Sequence, residues 1–184
     1  MTRTRGRRLA LAGLAMLSGL GMPLTAAATQ AYYRAQALGE QTNRVWTATG
    51  GAGGKIVDSV ADGSTAQQWE SVPAVGRPSG QVNFINRASG LCLDVDKSGP
   101  LGVMTRGADL VQSPCNGSLS QVWVYRTDFD PWFAHAYSVQ NQASLYYVTI
   151  KDASTANNAS LVQDEQFGPW GGGKHQFWRL IPGG

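Results

Sequence analysis

The side chains whose types and spacing could bind a metal or act as an acid and a base fall in two short segments. Residues 94–99 (DVDKSG) resemble the first half of a calcium-binding loop, but the twelfth position is Thr105 instead of the Glu that such a loop needs. Asp128 and Asp130 have the pairing of glycosidase carboxylates. They lie in Thr-Asp-Phe-Asp-Pro, whose composition is typical of a solvated turn. Neither segment therefore predicts a metal site or a pair of catalytic acids.

Hydrolytic motifs are missing from the rest of the sequence. Its two histidines are His135 and His175, and it contains no H-E-x-x-H, G-x-S-x-G or C-x-x-C. The sequence therefore lacks the motifs that zinc-dependent hydrolysis and serine nucleophile catalysis need. We expect no catalytic activity, no metal and no cofactor.

A repeated triplet is the strongest pattern in the chain. Three Gln-x-Trp triplets end at Trp69, Trp123 and Trp178, which are 54 and 55 residues apart. The similarity extends upstream, because residues 53–69 align without gaps to residues 107–123. The third copy matches as well but carries four extra residues just before its triplet. This periodicity predicts three structural repeats, at about 30–80, 81–132 and 133–184.

Short strands, rather than helices, are predicted to position these residues. Apolar and polar residues alternate in segments such as 82–84 and 91–95, with Asn, Ser and Gly at the turns between them. A unit of about 50 residues cannot bury a core alone, so the three copies must close around a common axis. The predicted fold class is all-β, with four strands in each repeat.

These residues carry a family resemblance. Residues 89–95 (SGLCLDV), 110–112 (LVQ) and 115–117 (CNG), together with the Gln-x-Trp triplets, resemble the ricin B-chain-type lectin repeat. That family has a β-trefoil fold and includes carbohydrate-binding modules of secreted bacterial glycanases. The resemblance implies that Trp69, Trp123 and Trp178 are buried structural residues, and that Cys92 and Cys115 form a disulfide within the second repeat.

The resemblance also implies a sugar site built from four positions in a repeat: an Asp, a Gln, an aromatic residue two positions after that Gln, and an Asn before the Gln of Gln-x-Trp. The second repeat keeps Asp94 and Gln112, but it has Pro114 at the aromatic position and Ser120 at the Asn position. It therefore keeps half of the site. The alternative for Asp94 is that its carboxylate caps the turn at residues 97–99.

The other two repeats depart further from the pattern. The third has Thr149 in place of the Asp, keeps Gln163, and has Glu165 and His175 at the aromatic and Asn positions. Its insertion brings Trp170, which either contributes to an altered pocket or closes the end of the barrel. The first repeat has Asp58, Val60 and Ala66 at the Gln, aromatic and Asn positions and is expected not to bind sugar. The predicted carbohydrate contacts are Asp94, Gln112, Gln121, Gln163, Trp170 and His175.

The N-terminus has the three parts of a secretory signal peptide. Four arginines within the first eight residues precede an apolar run over residues 9–24, and an Ala-Ala-Ala cleavage site follows. The run contains Gly, Ser and Pro and is shorter than the ~20 residues of a membrane span, which argues against a stable membrane anchor. We expect cleavage near Ala28 and secretion of residues 29–184 as one lectin-like domain. Export would also keep the two cysteines oxidised.

Charge excludes one class of partner. The chain has 15 Lys and Arg against 12 Asp and Glu, a net charge of +3, but four arginines and no acidic residue lie in residues 1–28. The remainder has a net charge of −1 and no basic cluster, whereas nucleic-acid binding needs several phosphates neutralised at once. The leading hypothesis is a secreted, monomeric, non-catalytic module that binds a glycan or polysaccharide. The alternative is a β-trefoil that no longer binds sugar and acts as a protein-interaction module or protease inhibitor.

Overall fold

A computed structural model describes residues 30–38, 43–127, 136–167 and 173–183. The predicted signal segment lies outside these ranges, as do Asp128, Asp130, His135 and Trp170. Within them, the regular structure consists of strands and short 3-10 turns, as the alternating pattern predicts. No helix among the described residues has the length and apolar character that crossing a membrane requires.

Each repeat contributes four strands, in the same order along the chain. The first repeat contains β1 (Tyr33–Ala37), β2 (Arg44–Ala48), β3 (Ile56–Val60) and β4 (Trp69–Pro73). The second contains β5 (Gln81–Asn86), β6 (Cys92–Val95), β7 (Leu110–Ser113) and β8 (Trp123–Arg126). The third contains β9 (Ser138–Asn141), β10 (Tyr147–Ile150), β11 (Ala159–Asp164) and β12 (Trp178–Pro182).

The first and fourth strands of the three repeats form a barrel. Antiparallel pairing runs from β12 through β1, β4, β5 and β8 to β9. A single bridge between Tyr137 and Trp178 closes the ring. The second and third strands form three hairpins, β2–β3, β6–β7 and β10–β11, which cover one end of the barrel. Three repeats around one axis thus bury a core that none of them has alone.

Indole rings fill the centre of the barrel. Trp69, Trp123 and Trp178, the tryptophans of the three triplets, are 0–1% exposed. Each indole N–H donates to a backbone carbonyl on the second strand of its own repeat, at 3.1 to 3.3 Å. Burial of the ring is therefore combined with a satisfied polar group. Trp46, which the sequence pattern did not single out, is equally buried and meets Trp178 edge to face at 5.2 Å between ring centroids.

Candidate functional site

The glutamine of each Gln-x-Trp triplet has the same hydrogen bonds in all three repeats. Its amide N–H donates to a side-chain oxygen on the second strand and to the carbonyl at or just beyond the end of the third strand, and its oxygen accepts a backbone N–H of the following loop. The three side-chain acceptors are Thr47 for Gln67, Asp94 for Gln121 and Thr149 for Gln176. The second repeat therefore differs from the other two by placing a carboxylate in a network that is elsewhere neutral.

Asp94 is buried and held as an anion. It is 1% exposed, and its Oδ1 accepts the Val95 N–H at 2.8 Å. Its Oδ2 accepts the Gln121 amide at 3.1 Å and the Lys97 ammonium at 2.9 Å. Burial opposes ionisation, but hydrogen bonds from Ser120, Lys97, Gln121 and the Val95 N–H together hold the pKa of Asp94 below its usual value.

The neighbouring carboxylate, and not Asp94, caps the turn at residues 97–99. Asp96 accepts the Ser98 N–H and the Ser98 hydroxyl, both at 2.9 Å. These hydrogen bonds hold the pKa of Asp96 below its usual value. Among the described residues, no three His, Cys, Asp or Glu side chains come together as metal ligands.

Strand register decides which residues share a face with Asp94. Asp94 lies opposite Val111 on β7, and Cys92 lies opposite Ser113. Residues opposite each other in an antiparallel pair point to the same face. Val111 and Ser113 therefore lie on the outer face with Asp94, whereas Gln112, opposite Leu93, lies on the inner face. The outer face carries no aromatic ring at these positions.

Gln112 has a different role from the one predicted. It is fully buried, and its amide N–H donates to the carbonyls of Thr49 and Gly50 at 3.1 and 2.7 Å. Its oxygen accepts the Ser89 hydroxyl at 2.6 Å. Its amide nitrogen thus holds the β2–β3 loop of the first repeat against β7, while its oxygen holds the β5–β6 turn through Ser89. Gln112 therefore positions this loop and is not a contact of the ligand site proposed below.

Gln163 in the third repeat forms the equivalent contacts. Its amide donates to the carbonyls of Val103 and Thr105 at 2.7 and 2.8 Å, and its oxygen accepts the Ser144 hydroxyl at 2.6 Å. Gln121 is likewise fully buried, with its amide shared between Asp94 and the Pro114 carbonyl. Both glutamines therefore support the fold, and Gln121 also orients Asp94.

A hollow of about 270 Å³ opens beside the outer face of the β6–β7 hairpin. The β2–β3 loop forms its opposite wall. The hollow is lined by Gly53, Lys55, Val95, Asp96, Lys97, Val111 and Ser113. Lys97 lines this space, and its ammonium donates to the buried carboxylate of Asp94 at 2.9 Å. We refer to this space as the repeat-2 hollow; Asp94 does not line it and is connected to it through Lys97.

Close backbone packing forms the far wall of the repeat-2 hollow. The Gly53 N–H donates to the Gln112 carbonyl at 2.8 Å, and the Gln112 N–H donates to the Gly54 carbonyl at 2.9 Å. A Cβ atom on Gly54 would lie 1.6 Å from the Thr49 carbonyl oxygen, so this position requires glycine. The loop therefore approaches β7 closely enough to bring Lys55 to the edge of the hollow.

The predicted contacts of the third repeat are arranged differently. His175 is half-buried beside Phe167, with ring centroids 5.3 Å apart. Glu165 is exposed and forms an ion pair with Arg106 at 3.3 Å, while Asp164 binds the same guanidinium at 2.5 Å. The Thr149 hydroxyl accepts the Gln176 amide at 2.8 Å and donates to the Tyr147 carbonyl at 2.9 Å. The third repeat thus has ion-paired side chains, Glu165 and Asp164 with Arg106, where the resemblance leads us to expect an aromatic residue.

The disulfide predicted from the resemblance is present. Cys92 and Cys115 are bonded, with their Cα atoms 5.1 Å apart. Cys115 follows Ser113 by two residues, so the bond fixes the register that places Ser113 opposite Cys92. Counting strand alternation back from the two cysteines would have identified Val111 and Ser113 as outer residues. Neither residue was among the predicted contacts, because residue type alone does not show which face of a strand a side chain occupies.

Comparison with known proteins supports the fold. The designed 3-fold symmetric protein ThreeFoil matches with a TM-score of 0.68 and 24% identity over 82% of this chain and 97% of its own. An exo-β-1,3-galactanase from Clostridium thermocellum matches with a TM-score of 0.69 and 22% identity over 83% of this chain, which spans only 30% of that enzyme. The Macrolepiota procera ricin B-like lectin, solved with lactose, matches with a TM-score of 0.60 and 14% identity over 85% of this chain and 98% of its own. No curated protein matches the sequence.

The family is shown by the sequence itself. The family model described as ricin-type beta-trefoil lectin domain-like matches residues 65–164, more than half of the chain. This stretch contains the β6–β7 hairpin, the disulfide and two of the three Gln-x-Trp triplets. The predicted all-β, three-repeat β-trefoil is confirmed, and the chain belongs to the ricin-type β-trefoil lectin domain-like family.

Proposed function

We propose that the chain is an exported, non-catalytic carbohydrate-binding protein whose ligand site is the repeat-2 hollow. One observation carries this proposal: Asp94 is buried, ionised and paired with Lys97, which lines a concave surface. A carboxylate accepts hydrogen bonds from adjacent sugar hydroxyls. Family membership, and the lectin and galactanase among the similar structures, support a glycan as the ligand.

Binding requires a small rearrangement at the mouth of the repeat-2 hollow. The Asp94 carboxylate is reached only when the Lys97 ammonium moves aside. Lys97 is 45% exposed and has a flexible stem, so this movement is local. The Ser113 hydroxyl and the Asp96 carboxylate also line the hollow and offer further polar contacts. The β6–β7 hairpin itself is held by the disulfide and stays fixed.

The same groups do not suit catalysis. A general acid needs a pKa close to the working pH, whereas the pKa values of Asp94 and Asp96 are both lowered.

Export is supported by the layout of residues 1–28 and by the bonded cysteines, because disulfides persist in oxidising compartments. The proposed secreted domain is residues 29–184.

A second candidate function is favoured by the state of the repeat-2 hollow. Asp94 is already neutralised by Lys97, and no aromatic side chain lines the described part of the hollow. A trefoil in this state could instead present its loops to another protein. The exposed apolar side chains of Val75, Leu101 and Leu145 lie in such loops.

A glycan array and retention on insoluble polysaccharides test the proposal. The full chain is expressed with its own N-terminal segment and collected from the medium, which tests export in the same experiment. We expect retention that falls at least about tenfold in Asp94→Asn, since a charge-assisted hydrogen bond is lost. Asp152→Asn is the matched control, because Asp152 is an exposed acid on the third repeat with φ near 54°, which asparagine tolerates.

Two results would count against the proposal. Retention by Asp94→Asn equal to that of the unchanged protein would remove the repeat-2 hollow as the site. Absence of retention on every glycan would favour the protein-interaction function. Near-UV circular dichroism on each variant establishes that the barrel is intact.

A further inference from the structure

The ion pair at the mouth of the repeat-2 hollow points to a particular class of ligand, an inference that rests on the proposed function. The Lys97 ammonium donates to Asp94 Oδ2 at 2.9 Å, and Lys97 also lines the hollow. Asp94 is 1% exposed, while the Lys97 side chain is 45% exposed. The buried carboxylate of Asp94 is thus paired with the primary ammonium of a lysine whose side chain is partly exposed to solvent.

The balance of charge around the hollow is negative. Lys55 is paired with Asp109 at 2.7 Å, and Lys97 is paired with Asp94. Asp96 also lines the hollow and has no ion pair of its own among the described residues. Asp94 and Asp109 do not line the hollow but are paired with lysines that do, so the group holds three carboxylates and two ammonium groups, and one added positive charge would neutralise it.

Replacement of Lys97 on Asp94 favours a ligand group that carries a positive charge. A neutral sugar hydroxyl that displaced Lys97 would leave a buried carboxylate without its cation, which is unfavourable. A ligand ammonium would replace the lost contact with one of the same kind, and Lys97 would return to water or turn towards Asp96. Apolar stacking cannot compensate a neutral sugar here, because the lining of the hollow includes no aromatic ring in the described part of the chain.

We propose that the repeat-2 hollow selects sugars that carry a free amino group, such as de-N-acetylated amino sugars, whose ammonium replaces that of Lys97 on Asp94. The volume of about 270 Å³ is close to the lower end of ligand pockets, which suits one terminal sugar ring. Lys97 is then a specificity-determining residue, since it competes for the same carboxylate.

Calorimetry with two matched oligosaccharides tests this selection. Glucosamine oligomers and N-acetylglucosamine oligomers of equal length differ only in the acetyl group that masks the charge. We expect the free amine to bind about tenfold more tightly, and this preference to shrink as salt rises from about 20 mM to about 500 mM. Asp94→Asn should abolish the preference.

A second variant keeps the test informative if Asp94→Asn does not fold. Lys97→Met retains the apolar stem but removes the competing ammonium, so both oligomers should bind more tightly than they bind the unchanged protein. Lys174→Met, at an exposed lysine of the third repeat, is the matched control and should change neither affinity. An unchanged affinity in Lys97→Met would overturn the proposal.

The outcomes separate this inference from the proposed function. Equal or tighter binding of the acetylated oligomer, lost in Asp94→Asn, would overturn the amino-sugar selection and leave carbohydrate binding in place. Binding of neither oligomer, with no retention on the glycan array, would overturn both. Equally tight, Asp94-dependent binding of oligolysine would show that the hollow recognises a cation without a sugar, which also overturns the selection.

Discussion

The buried ion pair between Arg44 and Asp58 gives the most specific prediction about stability. Asp58 lies on β3 in the first repeat, at the position that Gln112 and Gln163 occupy in the other two. It is fully buried, and its Oδ2 lies 2.9 Å from Arg44 Nε. Neither carboxylate oxygen accepts a hydrogen bond within the described residues. Burial raises the pKa of Asp58 to about 6, although the Arg44 charge opposes this rise.

The sign of the resulting pH dependence is set by where the proton is held. Between the ordinary pKa of 3.8 and about 6, the folded protein keeps the Asp58 proton while the unfolded chain has lost it. The free energy of unfolding therefore falls as pH rises through this window. At about 1.4 kcal/mol for each pKa unit, the contribution of Asp58 to this fall is about 3 kcal/mol.

Urea denaturation followed by tryptophan fluorescence, from about pH 4 to about pH 7, measures this fall. Asp58→Asn removes the titrating group, so the stability of the unchanged protein minus that of the variant should decline by about 3 kcal/mol across the range. Asp152→Asn, at an exposed acid, should show no such decline. A difference that stays flat or rises with pH would refute the reasoning, because it would mean that Arg44 outweighs burial.

Removing the other partner gives a complementary result. The Arg44 guanidinium donates to the carbonyls of Ser154, Thr155 and Ala156 as well as contacting Asp58. Arg44→Met leaves the Asp58 carboxylate buried without its cation, so we expect a loss of about 3–5 kcal/mol near pH 7. The loss should be smaller near pH 4, where Asp58 can be protonated. Equal losses at both pH values would contradict this account.

Three further predictions concern the second repeat and are tested by the same denaturation experiment. Because the pKa of Asp94 is lowered, its contribution to stability should be lost as pH falls below about 4, and Asp94→Asn should lack that acid loss. Replacing Cys92 and Cys115 together by alanine should cost about 3 kcal/mol, since the bond closes a loop with a sequence separation of 23 residues. Trp123→Ala should cost about 3–5 kcal/mol, because a fully buried ring and its hydrogen bond to the Leu93 carbonyl are both lost. For either the cysteine pair or Trp123, a loss below about 1 kcal/mol would contradict the role assigned here.

The repeat architecture could be predicted because its signals are local and occur three times. Trp69, Trp123 and Trp178 each need a buried site and a carbonyl acceptor, and only a repeated fold supplies both at the same spacing. The direction of Gln112 could not be predicted from residue type alone. A glutamine suits a sugar site or a buried clamp equally well, and strand register decides between the two.

Contacts between repeats could not be predicted from the sequence either. Arg44 and the loop carbonyl of Thr155 are separated by 111 residues, and they meet only because the third repeat packs against the first. The same packing explains why Asp58, expected only to be a degraded sugar position, forms a buried ion pair. Lys97 lies three residues from Asp94, but residue types alone did not predict the ion pair, because a carboxylate at this position suits a sugar contact or a turn cap equally well.

The equivalent positions in the three repeats explain why ligand binding is proposed for only one of them. Thr47, Asp94 and Thr149 all accept the amide of a Gln-x-Trp glutamine, so all three satisfy the fold. A threonine hydroxyl completes this network without charge. A carboxylate adds a buried charge that the network alone does not neutralise, and Lys97 supplies the missing cation from the surface. A buried charge that needs an exposed partner can exchange that partner for a ligand, which the two threonine positions cannot do.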